Sequence, residues 1–172
     1  MRFTVTPDWR DNRLLKLVLA WFLAYVTLFW VTNALLYFAK MGLTPSSVVA
    51  YYLGDEARFL PPRSYQGMLE IAHFHLFAMG ILVLTMTHLL LFVPLSTRWK
   101  AWIVSLSFAA AVGDEAAGWL VRFVAPEFAY LKIAAFLTLQ ATLAFMVAAV
   151  AWALATAQPN AYRGDIGDED YE

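Results

Sequence analysis

The sequence contains no cysteine at all. That absence removes disulfides, thiolate catalysis, cysteine-ligated zinc and iron–sulfur clusters, and it says nothing about compartment. Charge is scarce as well. Only 15% of the 172 residues are charged, where a soluble domain carries roughly a quarter. The formal net charge of -1 provides no field to attract nucleic acid. There is no phosphate-binding glycine loop, nucleophile elbow, dinucleotide fingerprint or convincing internal repeat.

What is present is apolar sequence, 62% of the chain. It is gathered into four runs, each near or above the ~20 residues that cross a bilayer core. The runs predict spans over about 14–39, 64–93, 101–124 and 128–156. They form a single domain, an all-α antiparallel four-helix bundle in the lipid bilayer. The first run is longer than the apolar part of a signal peptide and is closed by no clear cleavage site, so it is expected to be a retained span. Residues 1–13 form a polar N-terminal segment, with Asp11 or Asn12 placed to cap the first helix. Residues 157–172 form an acidic, glycine-broken tail that is expected to be disordered.

Between the first two spans, Thr44-Pro45 reads as an N-cap followed by a first-turn proline. A short interfacial helix is expected there, with Val48, Val49, Tyr51, Tyr52 and Leu53 towards lipid. Gly54 stops it, and Pro61-Pro62 holds the approach to the second span extended. Ser64 is placed to cap that span, and Pro94 to break it.

Lys and Arg set the orientation. Arg2, Arg10, Arg13, Lys16, Arg98, Lys100 and Arg163 lie on one side, and Lys40, Arg58, Arg63, Arg122 and Lys132 on the other. The bias puts both termini in the cytoplasm. A bacterial inner membrane is the expected location.

The second span, Glu70 to His88, holds all three histidines. At about 100° per residue, Glu70 and His88 share a face and His73 lies about 60° from it. His75 points about 200° away from His73, so the two cannot chelate one ion from a regular helix. His73 and His88 are separated by about 22 Å of rise. In spacing and helix count this resembles in outline the two-haem helices of membrane b-type cytochromes. The resemblance implies b-type haem on His73 and His88, with Arg122 or Lys132 meeting propionates and electrons passing to a quinone or a partner protein. No other span carries a histidine. A second ligand must then be a methionine such as Met146, be absent, or come from a second copy about a two-fold axis.

Glu70 and His73 also form the Glu-x-x-His spacing by which ferritin-like bundles present two ligands. A single transition-metal ion held by Glu70, His73 and either His75 or Asp114 is the alternative cofactor. The bland alternative is three histidines bonded to neighbours along a polar helix face.

Asp114 and Glu115 stand near the middle of the third span, where each costs about 2.5–3.5 kcal/mol to insert. At least one is expected to be protonated or paired. Antiparallel reflection puts Asp114 level with Gly80, Glu115 near Leu137 with Gln140 about a turn away, and Arg122 near His73, where it can pair with Glu70. Asp114, Glu115 and Gln140 therefore read as a proton or ion path, or as a structural network. Asn33 reads as an interhelical hydrogen bond. Met79 and Met86 read as packing, and Gly113 and Gly118 mark a close-packing helix. Four functions follow: a haem-binding redox subunit, placed first; a non-haem metal protein; a proton- or ion-coupled transporter; and an accessory subunit of a larger membrane complex. A homodimer or such a complex is the expected assembly.

Overall fold

A computed structural model describes residues 13–156. The cap at Asp11 or Asn12, the N-terminal segment before Arg13 and the acidic tail lie outside the described residues. The described chain is helical, with five α-helices and two 3₁₀ turns. In chain order the helices are α1 (Arg13–Lys40), α2 (Pro45–Leu53), α3 (Tyr65–Leu90), α4 (Thr97–Phe123) and α5 (Ala129–Thr156). Four of them are long and apolar enough to cross a membrane. The protein is thus an integral, multi-pass membrane protein with an all-α bundle.

Local chemistry sets the boundaries. Thr44 caps α2 by accepting from Ser47 N at 3.4 Å, with Pro45 in the first turn. Ser64 caps α3 by accepting from Gly67 N at 3.1 Å. α3 ends at Leu90, earlier than hydropathy predicts, because Leu91, Phe92 and Val93 tighten into i→i−3 bonds ahead of Pro94. α4 starts at Thr97 rather than near Ala101. Its extra turn is tied back where Lys100 Nζ donates to Leu91 O at 2.6 Å.

α4 and α5 make the most extensive interface. It is built from small residues: a Cβ added at Gly113 would sit 3.8 Å from Ala135 Cβ, and Ala117 is fully buried. Small side chains let two backbones approach, which is how helices gain dispersion energy in lipid. α3 packs on α4 and α5, and α1 packs chiefly on α5. α1 is the least buried span. Its inward stripe is Leu23, Val26, Trp30, Asn33 and Tyr37, and Tyr37 stacks on Phe136 at 3.6 Å.

The short helix α2 differs from expectation. It packs on α4 and α5 and covers the end of the bundle where α1 and α4 finish and α3 and α5 begin. Val48 is 0% exposed and Tyr52 8%, so these two face the bundle and not lipid. The reason lies on α4. A Cβ at Gly118 would come within 2.6 Å of Tyr52 Oη and 2.8 Å of its ring. Only glycine leaves that slot open for the tyrosine.

The following loop is also fixed. Gly54 has φ 88, and a Cβ there would meet Leu60 O at 2.6 Å. Arg63 N donates to Tyr52 O at 3.0 Å, and Arg122 Nε donates to Arg63 O at 2.8 Å. The loop is thereby pinned to α4.

Gly118→Ala is expected to displace Tyr52 and destabilise the protein by about 1–3 kcal/mol, the usual cost of overpacking. In detergent unfolding, Tyr52→Ala should absorb most of that loss, so that the double variant is less impaired than the sum of the singles. Strict additivity would contradict the slot.

Candidate functional site

The inward stripe of α3 runs through Met68, Ala72, His75, Met79, Val83, Met86 and Leu90. All of these are buried except the half-buried His75. His75 is therefore the histidine that faces the bundle. Glu70, His73 and His88 are exposed on the outward side. Glu70 accepts from Gln66 Nε2 at 3.0 Å. The His73 and His88 rings lean edge-on against Phe74 and Phe92.

His75 meets Asp114 and Glu115 of α4 at the junction of two cavities. The cavity nearer α2 is about 90 Å³ and the deeper one about 70 Å³. Asn33, His75, Asp114 and Glu115 line both. Gly80 lines the deeper cavity with Asp114 and has open space where a Cβ would stand.

The centre is an ion pair. Lys132 Nζ lies 2.8 Å from Asp114 Oδ2 and donates to Asp114 O at 3.0 Å. Lys132 is 6% exposed, although it sits in the first turn of α5. Its long apolar stem carries the ammonium down to the acid. Asp114 Oδ1 is buried and has no hydrogen-bond partner. Glu115 forms no ion pair among the described residues. Lys132, His75 and Asp114 are its ionisable neighbours, and the Trp119 side chain hydrogen-bonds to it. Tyr52 reaches the same cavity from above. Burial, and after it the Asp114 charge, push the Tyr52 phenol well above its ordinary range, so it remains a neutral hydroxyl.

This centre lies about 14 Å below the Phe123 end of α4 at 1.5 Å per residue, close to the middle of a bilayer core. Beyond it the bundle is apolar. Leu23, Val26, Met79, Val83, Met86, Leu143 and Met146 close the other half in one buried cluster. The polar space thus lies in the α2 half of the bundle, and the apolar cluster separates it from the opposite membrane face. Both amide atoms of Gln140 and the Trp30 indole nitrogen are buried without partners, and neither residue lines the two cavities. Gln140 joins neither acid, and the partner of Asp114 is Lys132.

The remaining sequence candidates separate. Arg122 bonds the Arg63 carbonyl and lies over the Phe123 ring at 5.1 Å, and does not pair with Glu70. Met146 is fully buried in the apolar cluster, away from the outward histidines. Glu70 and His73 face outward while Asp114 faces inward. Among the described residues no three of His, Asp and Glu converge to hold a metal ion. Sequence reasoning placed Lys132 at the interface. The missed signal is that antiparallel pairing across Ala125-Pro126 leaves it within side-chain reach of Asp114.

Comparison with known proteins gives one match. A family profile described as a transmembrane helical domain covers residues 42–161. That segment holds α2 to α5 with His75, Asp114, Glu115 and Lys132, and α1 precedes it. No curated protein and no solved structure matches.

Removing one partner of a buried ion pair leaves an uncompensated charge, at a cost of about 3–5 kcal/mol. Lys132→Met is expected to lower the detergent unfolding midpoint markedly. Adding Asp114→Asn should restore much of the loss. A neutral Lys132→Met would contradict the pairing.

Proposed function

The chain belongs to the Aq_1264_TM family of transmembrane helical domains, and from that footing we propose that it is a proton-coupled membrane transport protein. Its working groups are Asp114, Glu115, Lys132 and His75. The observation that carries this reading is the Lys132–Asp114 pair at 2.8 Å beside the unpaired Glu115, on a cavity closed towards one face by apolar side chains. Intramembrane acids of this kind mark proton or ion pathways by default.

Each group has a distinct part. Lys132 holds Asp114 in an ion pair inside the bundle, and releasing that pair frees a carboxylate to take a proton. Glu115 exchanges its proton with the cavity. His75 lines both cavity lobes and has the ring nitrogens to pass a proton between them. The apolar half prevents a continuous file of water, so protons enter from one side without leaking through. With both termini in the cytoplasm of a bacterial inner membrane, the α2 end and the cavity face outward.

A second reading keeps the outward histidines. His73 and His88 emerge on one exposed face of α3, among Phe74, Phe77, Ile81 and Leu84, also exposed. A second copy across a two-fold axis would supply the missing ligands for b-type haem. Protein purified from haem-replete cells would then show a Soret band that His73→Ala weakens. A colourless protein contradicts this second reading and leaves the first intact.

The transport reading is tested by pH jumps on protein adsorbed to a solid-supported membrane. Wild-type protein should give a transient current as protons enter the cavity. Glu115→Gln and Asp114→Asn should each reduce it at least severalfold. A transient unchanged by both substitutions, or none at all, would overturn the reading.

A further inference from the structure

The two cavity lobes differ in chemistry, and the difference follows depth. The lobe nearer the membrane surface is lined by Lys40, Arg63, Lys132 and the tyrosines Tyr37, Tyr51 and Tyr52, together with apolar residues such as Leu36 and Ile71. The deeper lobe is lined mainly by Leu76, Met79, Phe108, Val112 and Leu139. Asn33, His75, Asp114 and Glu115 join the two. A cationic, donor-rich space thus gives way to an apolar one towards the bilayer centre.

The entrance is lateral. α2 closes the end of the bundle with Val48 and Tyr52. α1 and α3 pack on α5 rather than closely on each other, and the cavity lies in the seam between them. Side chains that line the lobes are also exposed on the outer surface: Leu36 of α1 at 48%, and Ile71 and Leu76 of α3 at 37% and 52%. At these depths the outer surface of a spanning bundle meets lipid. A solute that enters here arrives from the leaflet.

Charge selects the head group. Three cations line the upper lobe, and the carboxylates there are Asp114 and Glu115. Lys132 is taken by Asp114. Lys40 and Arg63 form no ion pair among the described residues. The Arg63 guanidinium rests over the Tyr51 ring at 4.0 Å, held at the mouth.

We infer that the cavity binds a single-chain amphiphile with an anionic head, a carboxylate or phosphate monoester, which enters from the leaflet between α1 and α3. The head meets Lys40, Arg63 and the tyrosine hydroxyls, and the first carbons of the tail lie in the deeper lobe. The assignment deepens the transport reading by naming its solute class, and rests on that reading for the role of the bound molecule.

The test uses the full chain in phosphatidylcholine nanodiscs and electron paramagnetic resonance of nitroxide-labelled probes. Labelled stearate, labelled lysophosphatidate and a labelled alkylammonium of equal chain length are compared. At least one anionic probe should show an immobilised component at least tenfold tighter than the ammonium, and whichever does so identifies the head. Leu36→Trp combined with Ile71→Trp, both at exposed positions, should remove that component by filling the seam. Lys40→Gln with Arg63→Gln should weaken it tenfold or more. Helical content and monodispersity of each variant are checked first. The inference is overturned if no anionic probe is immobilised, if the ammonium binds equally, or if the seam variant binds as well as wild type. Failure of the transport reading is separate: a pH-jump transient unchanged in both Glu115→Gln and Asp114→Asn removes that reading and leaves an immobilised probe standing.

Discussion

The bond between Lys132 and Asp114 is the constraint on which the rest of the interior depends. Two opposite charges at 2.8 Å in the middle of a bundle tie the first turn of α5 to the centre of α4. Neither charge is tolerable alone at that depth, so the pair fixes the register of the α4–α5 interface. The small residues Gly113, Ala117 and Ala135 then let the two backbones close around it. Pairing also leaves loose ends. One Asp114 oxygen is buried without a partner, and Glu115 and His75 line the same cavity. A purely structural ion pair would be sealed by packing. This one borders a cavity, and that is why it reads as chemistry.

The helix α2 decides which face the cavity serves. With Tyr52 lodged against Gly118, the short helix becomes the roof of the polar space. Arg122 and Arg63 extend the same attachment through the loop. At the far side, Met86, Leu143 and Met146 close the core. The result is a membrane protein of two unlike halves, one lined by ionisable groups and the other closed by apolar packing. Such asymmetry suits a site that loads from one side.

Much of the fold was legible in the chain. Four long apolar runs can satisfy their backbone groups in lipid only as helices, and Thr44-Pro45, Ser64 and Pro94 punctuate them through local chemistry. The site was harder to read. The outward histidines attracted attention because His73 and His88 lie on similar faces at opposite depths, yet periodicity alone does not say which face turns inward. The stripe of methionine, alanine and valine from Met68 to Leu90 contains His75 and holds that information. Lys132 was hidden by its place near a helix end, where a cation ordinarily meets water. The orientation of α2 was illegible for a simpler reason: a nine-residue helix with apolar groups on both sides gives no preference until the Gly118 slot is known.

The freedom from cysteine makes a direct measurement of the one-sided cavity possible. Single Gly80→Cys and Val83→Cys variants, reconstituted in vesicles of known orientation, are exposed to a membrane-impermeant thiol reagent from each side in turn. Gly80 borders the cavity with room for a side chain, and Val83 lies buried one turn away in the apolar half. The account predicts that Gly80→Cys reacts from the α2 side alone and that Val83→Cys reacts from neither. Equal labelling of Gly80→Cys from both sides, or none from the α2 side, would contradict it.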